Sequence, residues 1–273
     1  MKQENTDEIM QKLTTLGFSK DMKICFEPLS VVDLTWFAHV DTRTKYLLAM
    51  QAYTRHVLEQ FAERGVIFTS LDGVVISPFA KIGVGTVIHA GTQIRHGVTI
   101  GAHCEIGPNS VIENSTVGDQ CMVNATQIYD SILEDQVKIG PFCHVRPNSR
   151  LCTGVKIGDF VEVKNSTVGA STHASHLTYI GDSDVGKRVN FGCGVVTVNY
   201  DGSKKARTVI GDDAFIGCNS NLVAPVQIGN GAYTAAGSTI TENVPSEALG
   251  IARARQINKE KWVWKKKQKE QKQ

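Results

Sequence analysis

With 273 residues and a formal net charge of +2, the chain can fill one large or two small domains and is too near neutrality to bind nucleic acid over its whole body. Its seven cysteines are odd in number, scattered and without Cys-x-x-Cys spacing, which argues against a disulfide framework and a zinc site and for reduced thiols in a cytoplasmic protein. The opening MKQENTDEIM lacks the apolar core of a secretory leader, and no stretch nears the roughly 20 apolar residues of a membrane span, so no membrane contact is expected.

Residues 1–70 do not repeat and are expected to form an N-terminal helical segment. DEIMQKLTTLG predicts a short helix stopped at Gly17. DTRTKYLLAMQAYTRHVLEQFAERG predicts a longer one. Asp41 or Thr42 can cap its start, Tyr46, Leu47, Met50, Tyr53, Val57, Leu58 and Phe61 form its apolar stripe, and Gly65 ends it.

From there to about residue 245 the sequence keeps time. Ile76, Ile82, Ile88, Ile94, Ile100, Ile106 and Ile112 stand six apart. The beat resumes at Ile139, Val145, Leu151, Ile157 and Val163, and again at Ile210, Ile216, Leu222, Ile228, Thr234 and Ile240. A 3.6-residue period cannot keep residues six apart on one helix face, so the pattern excludes a helical array. Three hexads make one coil of a parallel β-helix with one large aliphatic residue per strand pointing inward. Several beats shorten to five, as at Ile112–Val117, Val123–Ile128, Val163–Val168 and Ile180–Val185, which tightens a corner without reversing a side chain. Between Thr197 and Ile210, VNYDGSKKART is too polar for a wall and is expected to be an extruded loop with a D-G turn. Residues 246–273 form a C-terminal arm and a basic tail whose last 15 residues hold seven Lys and two Glu, read as solvated. Arg253 and Arg255 lie near the last coil, within reach of a bound phosphate.

Hexads alone fit acyltransferases, carbonic-anhydrase-like prisms and structural prisms. The motifs go further. GPFCHVRPNSRL, GDFVEVKNSTVG, ASHLTYIGDSDVG, VNFGCGVVTVNYDGSKKARTVIGDD, LVAPVQIG and AAGSTITENVP resemble the C-terminal acetyltransferase domain of the bacterial bifunctional N-acetylglucosamine-1-phosphate uridyltransferase/glucosamine-1-phosphate acetyltransferase. The likeness runs more weakly through residues 41–139. It implies a mainly β fold, a left-handed parallel β-helix with N-terminal helices and a C-terminal arm, assembled as a homotrimer. It also implies acetyl-CoA as co-substrate, no metal, and an amino-sugar phosphate, most simply glucosamine 1-phosphate, as acceptor. Residues 1–40 carry no Gly-rich phosphate loop, so uridyl transfer is not expected of this chain.

The resemblance also distributes roles. His176 is the expected base, an imidazole able to take the proton of an ammonium near neutral pH, although a single histidine in a turn is more often structural. Glu162 is expected to orient it or hold its charge, and Asn199 to hydrogen-bond the amine or the thioester. Arg146 and Lys164 match phosphate-binding cations, and Tyr179, Asn190 and Lys205 match sugar and phosphate contacts. Tyr200, Cys193, Cys218, Ala236 and Arg253 match the acetyl-CoA side, where cysteines replace a small residue and a serine. Two other readings stay open: the same chemistry on another amino sugar or nucleotide sugar, and a non-catalytic trimeric scaffold, which would need none of these side chains.

Overall fold

The structure, a computed structural model, describes residues 11, 14–16, 37 and 39–270. Of the first predicted helix, Gln11, Thr14 and Thr15 are helical; its other residues, Gly17 included, lie outside the described residues. Helix α1 spans Arg43–Glu63. Thr42 is its cap, its hydroxyl accepting from Lys45 N at 3.2 Å, whereas Asp41 pairs with Lys45 Nζ at 2.7 Å. Tyr46, Tyr53, Val57, Leu58 and Phe61 are buried against the first coils, and Met50 is half-buried. Leu47 is a correction to the predicted stripe: it points outward with Leu48. Gly65 ends the helix with φ +91° and donates to Ala62 O at 3.0 Å.

Thirty short strands, from Ile67–Phe68 to Leu249–Gly250, then wind a triangular solenoid. Each strand pairs in parallel with the one three positions along, except that Tyr233–Thr234 pairs with Leu249–Gly250 two positions on, which gives walls of 11, 10 and 9 strands. The register stacks equivalent residues: Ile88 on Ile106, Ile106 on Val123, Val123 on Ile139 and Ile139 on Ile157. Every beat residue from Ile88 to Ile240 is buried; Ile82, in an early coil, is half-buried. This is the left-handed parallel β-helix that the resemblance implies.

The corners carry the unusual backbone. Asn114, Asp130, Asn148, Asn165 and Asp182 follow strands of the 10-stranded wall and all have φ between +44° and +63°. Short Asx side chains tolerate that conformation and bond locally, which lets a five-residue beat turn the chain. They also bond between coils: Asn114 Nδ2 donates to Asp130 Oδ1 at 2.6 Å, and Asn165 Nδ2 donates to Asp182 Oδ1. The predicted loop is a small hairpin. Tyr200 bridges Lys205, and Asp201 Oδ1 accepts from Ser203 N at 2.8 Å and Lys204 N at 2.7 Å, with Gly202 at φ +96°. After Gly250 the arm leaves the prism. Helix α2 spans Trp262–Glu270 with no buried residue, so the tail is solvated as expected but helical.

Candidate active site

Three coils build a cationic shelf on the 10-stranded wall. His144–Val145 pairs with Glu162–Lys164, and these with Tyr179–Gly181, so Glu162 lies between His144 and Tyr179 while Lys164 lies against Gly181. Arg146 N bonds Val163 O at 2.8 Å, which sets its side chain beside Lys164. Lys205 swings in from the hairpin and meets Lys164. The neighbouring Lys205 amine, then burial, hold Lys164 below the usual lysine range, with Arg146 adding to the effect and Asp182 opposing it. A guanidinium and two amines this close favour an anion with several oxygens, as phosphate has. The Tyr179 hydroxyl shares the shelf; burial pushes its pKa up, while a hydrogen bond with Asn199 works against that.

His176 ends the strand His173–His176 on the 11-stranded wall, one corner from Tyr179. Its backbone is in register with Asp159, and its exposed ring makes no hydrogen bond or ion pair among the described residues. The expected Glu162–His176 partnership is not what the structure shows: Glu162 Oε1 accepts from Arg146 Nη1 at 2.9 Å. The pairing follows from the register, since Glu162 and Arg146 share a wall whereas His176 belongs to the next. Asn190 also lies on the 11-stranded wall, in register with His173 and exposed.

The expected acetyl-CoA positions fall on one line. His176, Cys193, Cys218 and Ala236 each stand two residues beyond Ala174, Phe191, Ile216 and Thr234, which are in mutual register. They therefore form one edge of the prism over four coils. Gly192 lets Cys218 lie close, since a Cβ there would meet Cys218 Sγ at 2.9 Å. Cys193 is half-buried and Cys218 exposed. Arg253 follows Ala252, whose backbone bonds Ser238 Oγ at 3.2 Å and Thr239 N at 3.1 Å on the last coil. Tyr200 is exposed, its hydroxyl donating to Gly202 O at 2.7 Å. Among the described residues, no group of three His, Cys, Asp or Glu could hold a metal ion. No described helix is long and apolar enough to cross a membrane.

Sequence reasoning passed over Asp182 and Gly181. Asp182 is 4% exposed and lies at the centre of the shelf's support. It accepts from the side-chain amides of Asn165 and Asn199 and stands 4.0 Å from Lys164 Nζ. Burial alone would raise its pKa, but the two amides and the amines of Lys164 and Lys205 outweigh it and hold the carboxyl below its usual range. Gly181 leaves the space that the Tyr179 ring occupies. Both stood in the quoted motif, where D and G read as turn residues.

Residues 102–198 match the family described as GlmU-like, C-terminal hexapeptide, and residues 79–114 and 207–242 match the bacterial transferase hexapeptide family. The bifunctional protein GlmU of Halalkalibacterium halodurans is 52% identical over 227 residues, 83% of this chain and 50% of its own. Its counterpart in Acetivibrio thermocellus is 44% identical over 238 residues, 87% of this chain and 52% of its own. The chain thus spans about half the length of the curated relatives it matches. An Arabidopsis UDP-N-acetylglucosamine acyltransferase structure is 16% identical, with a TM-score of 0.49 over 68% of this chain and 70% of that one.

Proposed function

The chain belongs to the GlmU-like hexapeptide family, and on that premise we propose that it is an acetyl-CoA-dependent N-acetyltransferase whose acceptor is an amino-sugar phosphate, most simply glucosamine 1-phosphate. The observation that carries this reading is the convergence of Arg146, Lys164 and Lys205 on one shelf, one corner from His176. The cations receive the phosphate, and Tyr179 and Asn190 contact the sugar. His176 accepts a proton from the substrate ammonium. The freed amine attacks the thioester carbonyl, the N–C bond forms, the C–S bond breaks and CoA leaves as a thiol. Acetyl-CoA lies along the edge of Cys193, Cys218 and Ala236, with Arg253 toward its phosphates and Tyr200 near the acetyl group. Cysteine at both positions keeps the edge narrow, and neither thiol has an imidazole partner among the described hydrogen bonds, so both read as lining groups rather than nucleophiles.

The test is thiol release from acetyl-CoA with glucosamine 1-phosphate, glucosamine 6-phosphate, glucosamine and a UDP-amino sugar as acceptors. Turnover is expected with glucosamine 1-phosphate and to fall sharply without the phosphate. Preference for the nucleotide sugar would overturn the acceptor assignment, and no turnover with any amine would return the chain to a scaffold.

A further inference from the structure

The corner Asx residues continue into the site as a three-rung ladder. Asn165, Asp182 and Asn199 each stand three residues beyond Glu162, Tyr179 and Val196, which are in mutual register. The middle rung is the acid. A carboxylate only accepts hydrogen bonds, so both flanking amides must turn their NH2 groups toward it. Asn165 Nδ2 and Asn199 Nδ2 both donate to Asp182. The Asn199 carbonyl oxygen is thereby directed away from the ladder, and it is an acceptor, suited to an ammonium or amine N–H rather than to a thioester oxygen.

We propose that Asp182 is a positioning residue for acetyl transfer: it fixes the Asn199 amide with its acceptor toward the substrate amine, and its negative charge keeps Lys164 protonated beside Lys205 and Arg146 for the phosphate. One buried carboxylate thus links the two ends of the acceptor site. The inference rests on the acetyltransferase reading. The groups facing Lys164 are the Lys205 amine from the hairpin, the Arg146 guanidinium, the Asp182 carboxylate and, through Arg146, Glu162. Those facing Asp182 are Lys164, Lys205 and the Tyr179 hydroxyl, and beyond them Arg207, which is paired with Asp184 Oδ2 at 2.9 Å and bonded to Asn165 O at 3.1 Å. Lys164 is already held low by like charge. Its protonated form is therefore lost at lower pH than that of an ordinary lysine, and phosphate affinity falls as pH rises through that point. Removing the Asp182 charge withdraws the one opposing influence and moves the loss lower still.

The experiment compares Asp182→Asn, Asp182→Ala, Asn199→Ala and the double variant Asp182→Ala/Asn199→Ala with the unmodified chain. It measures kcat and KM for each substrate against pH, with folding checked by circular dichroism. Asp182→Asn can keep the ladder, since its carbonyl accepts from Asn199 and Asn165 can turn over. It should lose less kcat than Asp182→Ala, but its alkaline limb in kcat/KM for the sugar phosphate should move to lower pH. Asp182→Ala should lose about 10²-fold in kcat, the scale of a misplaced reacting geometry, with KM for acetyl-CoA unchanged. In kcat the double variant should be no worse than Asn199→Ala, because in the chemical step one residue acts through the other. An alkaline limb unmoved in Asp182→Asn, or additive losses of kcat in the double variant, would overturn the inference while leaving the proposed function intact. If the unmodified chain makes no N-acetyl product from glucosamine 1-phosphate, the proposed function falls and takes this role with it.

Discussion

At the scale of single residues, the proposed function divides the site into a group that moves a proton and groups that hold a charge, and substitution should separate them. His176→Ala should lower kcat by about 10²–10⁴-fold, the usual share of a positioned base, with little change in KM for acetyl-CoA. Near-full turnover of that variant at pH 7.5 would mean that another group or solvent takes the proton. Arg146→Ala should instead raise KM for the sugar phosphate, since it grips a group remote from the bond being formed. It also strips Glu162 of its partner, leaving a carboxylate on a shelf meant for an anion. An unchanged KM would point to an acceptor without that phosphate. His176, Arg146, Lys164 and Lys205 were legible because they stand at fixed places in motifs that resemble a known domain. The Glu162–Arg146 pair was not legible, because spacing in a motif does not say which wall a side chain occupies. Asp182 was overlooked because an Asp before Ser in a turn carries no mark of burial.

At the scale of elements, walls were easier to read than corners. A beat of six leaves one inward position per strand, and the structure buries the residues expected there, Thr234 included. The five-residue beats at Ile112–Val117, Val163–Val168 and Ile180–Val185 coincide with Asn114, Asn165 and Asp182 in the left-handed region. The hydrophobic pattern locates such a corner but does not say that its side chains bond from coil to coil. Helix α2 was not legible because Trp262, Val263 and Trp264 are consecutive and a lysine run follows, which gives no helical period. Gly181 offers a test of how corner and wall cooperate. Its φ is not left-handed, so alanine is compatible with the backbone, but the new Cβ would run into the Tyr179 hydroxyl and ring edge. Gly181→Ala should therefore fold, displace Tyr179 and raise KM for the sugar phosphate several-fold with a smaller change in kcat. A wild-type KM would show that the ring finds another rotamer without consequence. In the N-terminal element, Thr42→Ala removes the α1 cap and should cost about 1 kcal/mol, read as a lower denaturation midpoint with activity retained.

At the scale of the whole molecule, the question is what covers the edge that carries His176. The resemblance implies a homotrimer, and the walls over residues 139–163 are too charged to be its contact face. Arg150 and Lys156 point outward there, and Glu162 lies on the shelf. The apolar surface is the corner beside His176. Phe142 and Phe160 stack at 5.4 Å between centroids while 62% and 60% exposed, and Leu177, next to His176, is 58% exposed. Apolar groups in a contiguous row are more often buried by a partner than left in water. Ile251 and Ile257 in the arm are likewise exposed at 62% and 81%. A second copy seated on this corner would cover the Phe142–Phe160–Leu177 row, shield the His176 ring from bulk water and close the acetyl-CoA edge from the other side. In a closed assembly each copy would both give and receive that surface. Sedimentation equilibrium at micromolar concentration should accordingly give three times the 29.7 kDa of the chain. If that assembly forms, Phe160→Asp should yield a monomer without turnover while leaving the β-helix circular dichroism intact, because Phe160 is exposed and contributes nothing to the core. A fully active monomer would show that the site is complete within one chain and that the apolar corner row serves another contact.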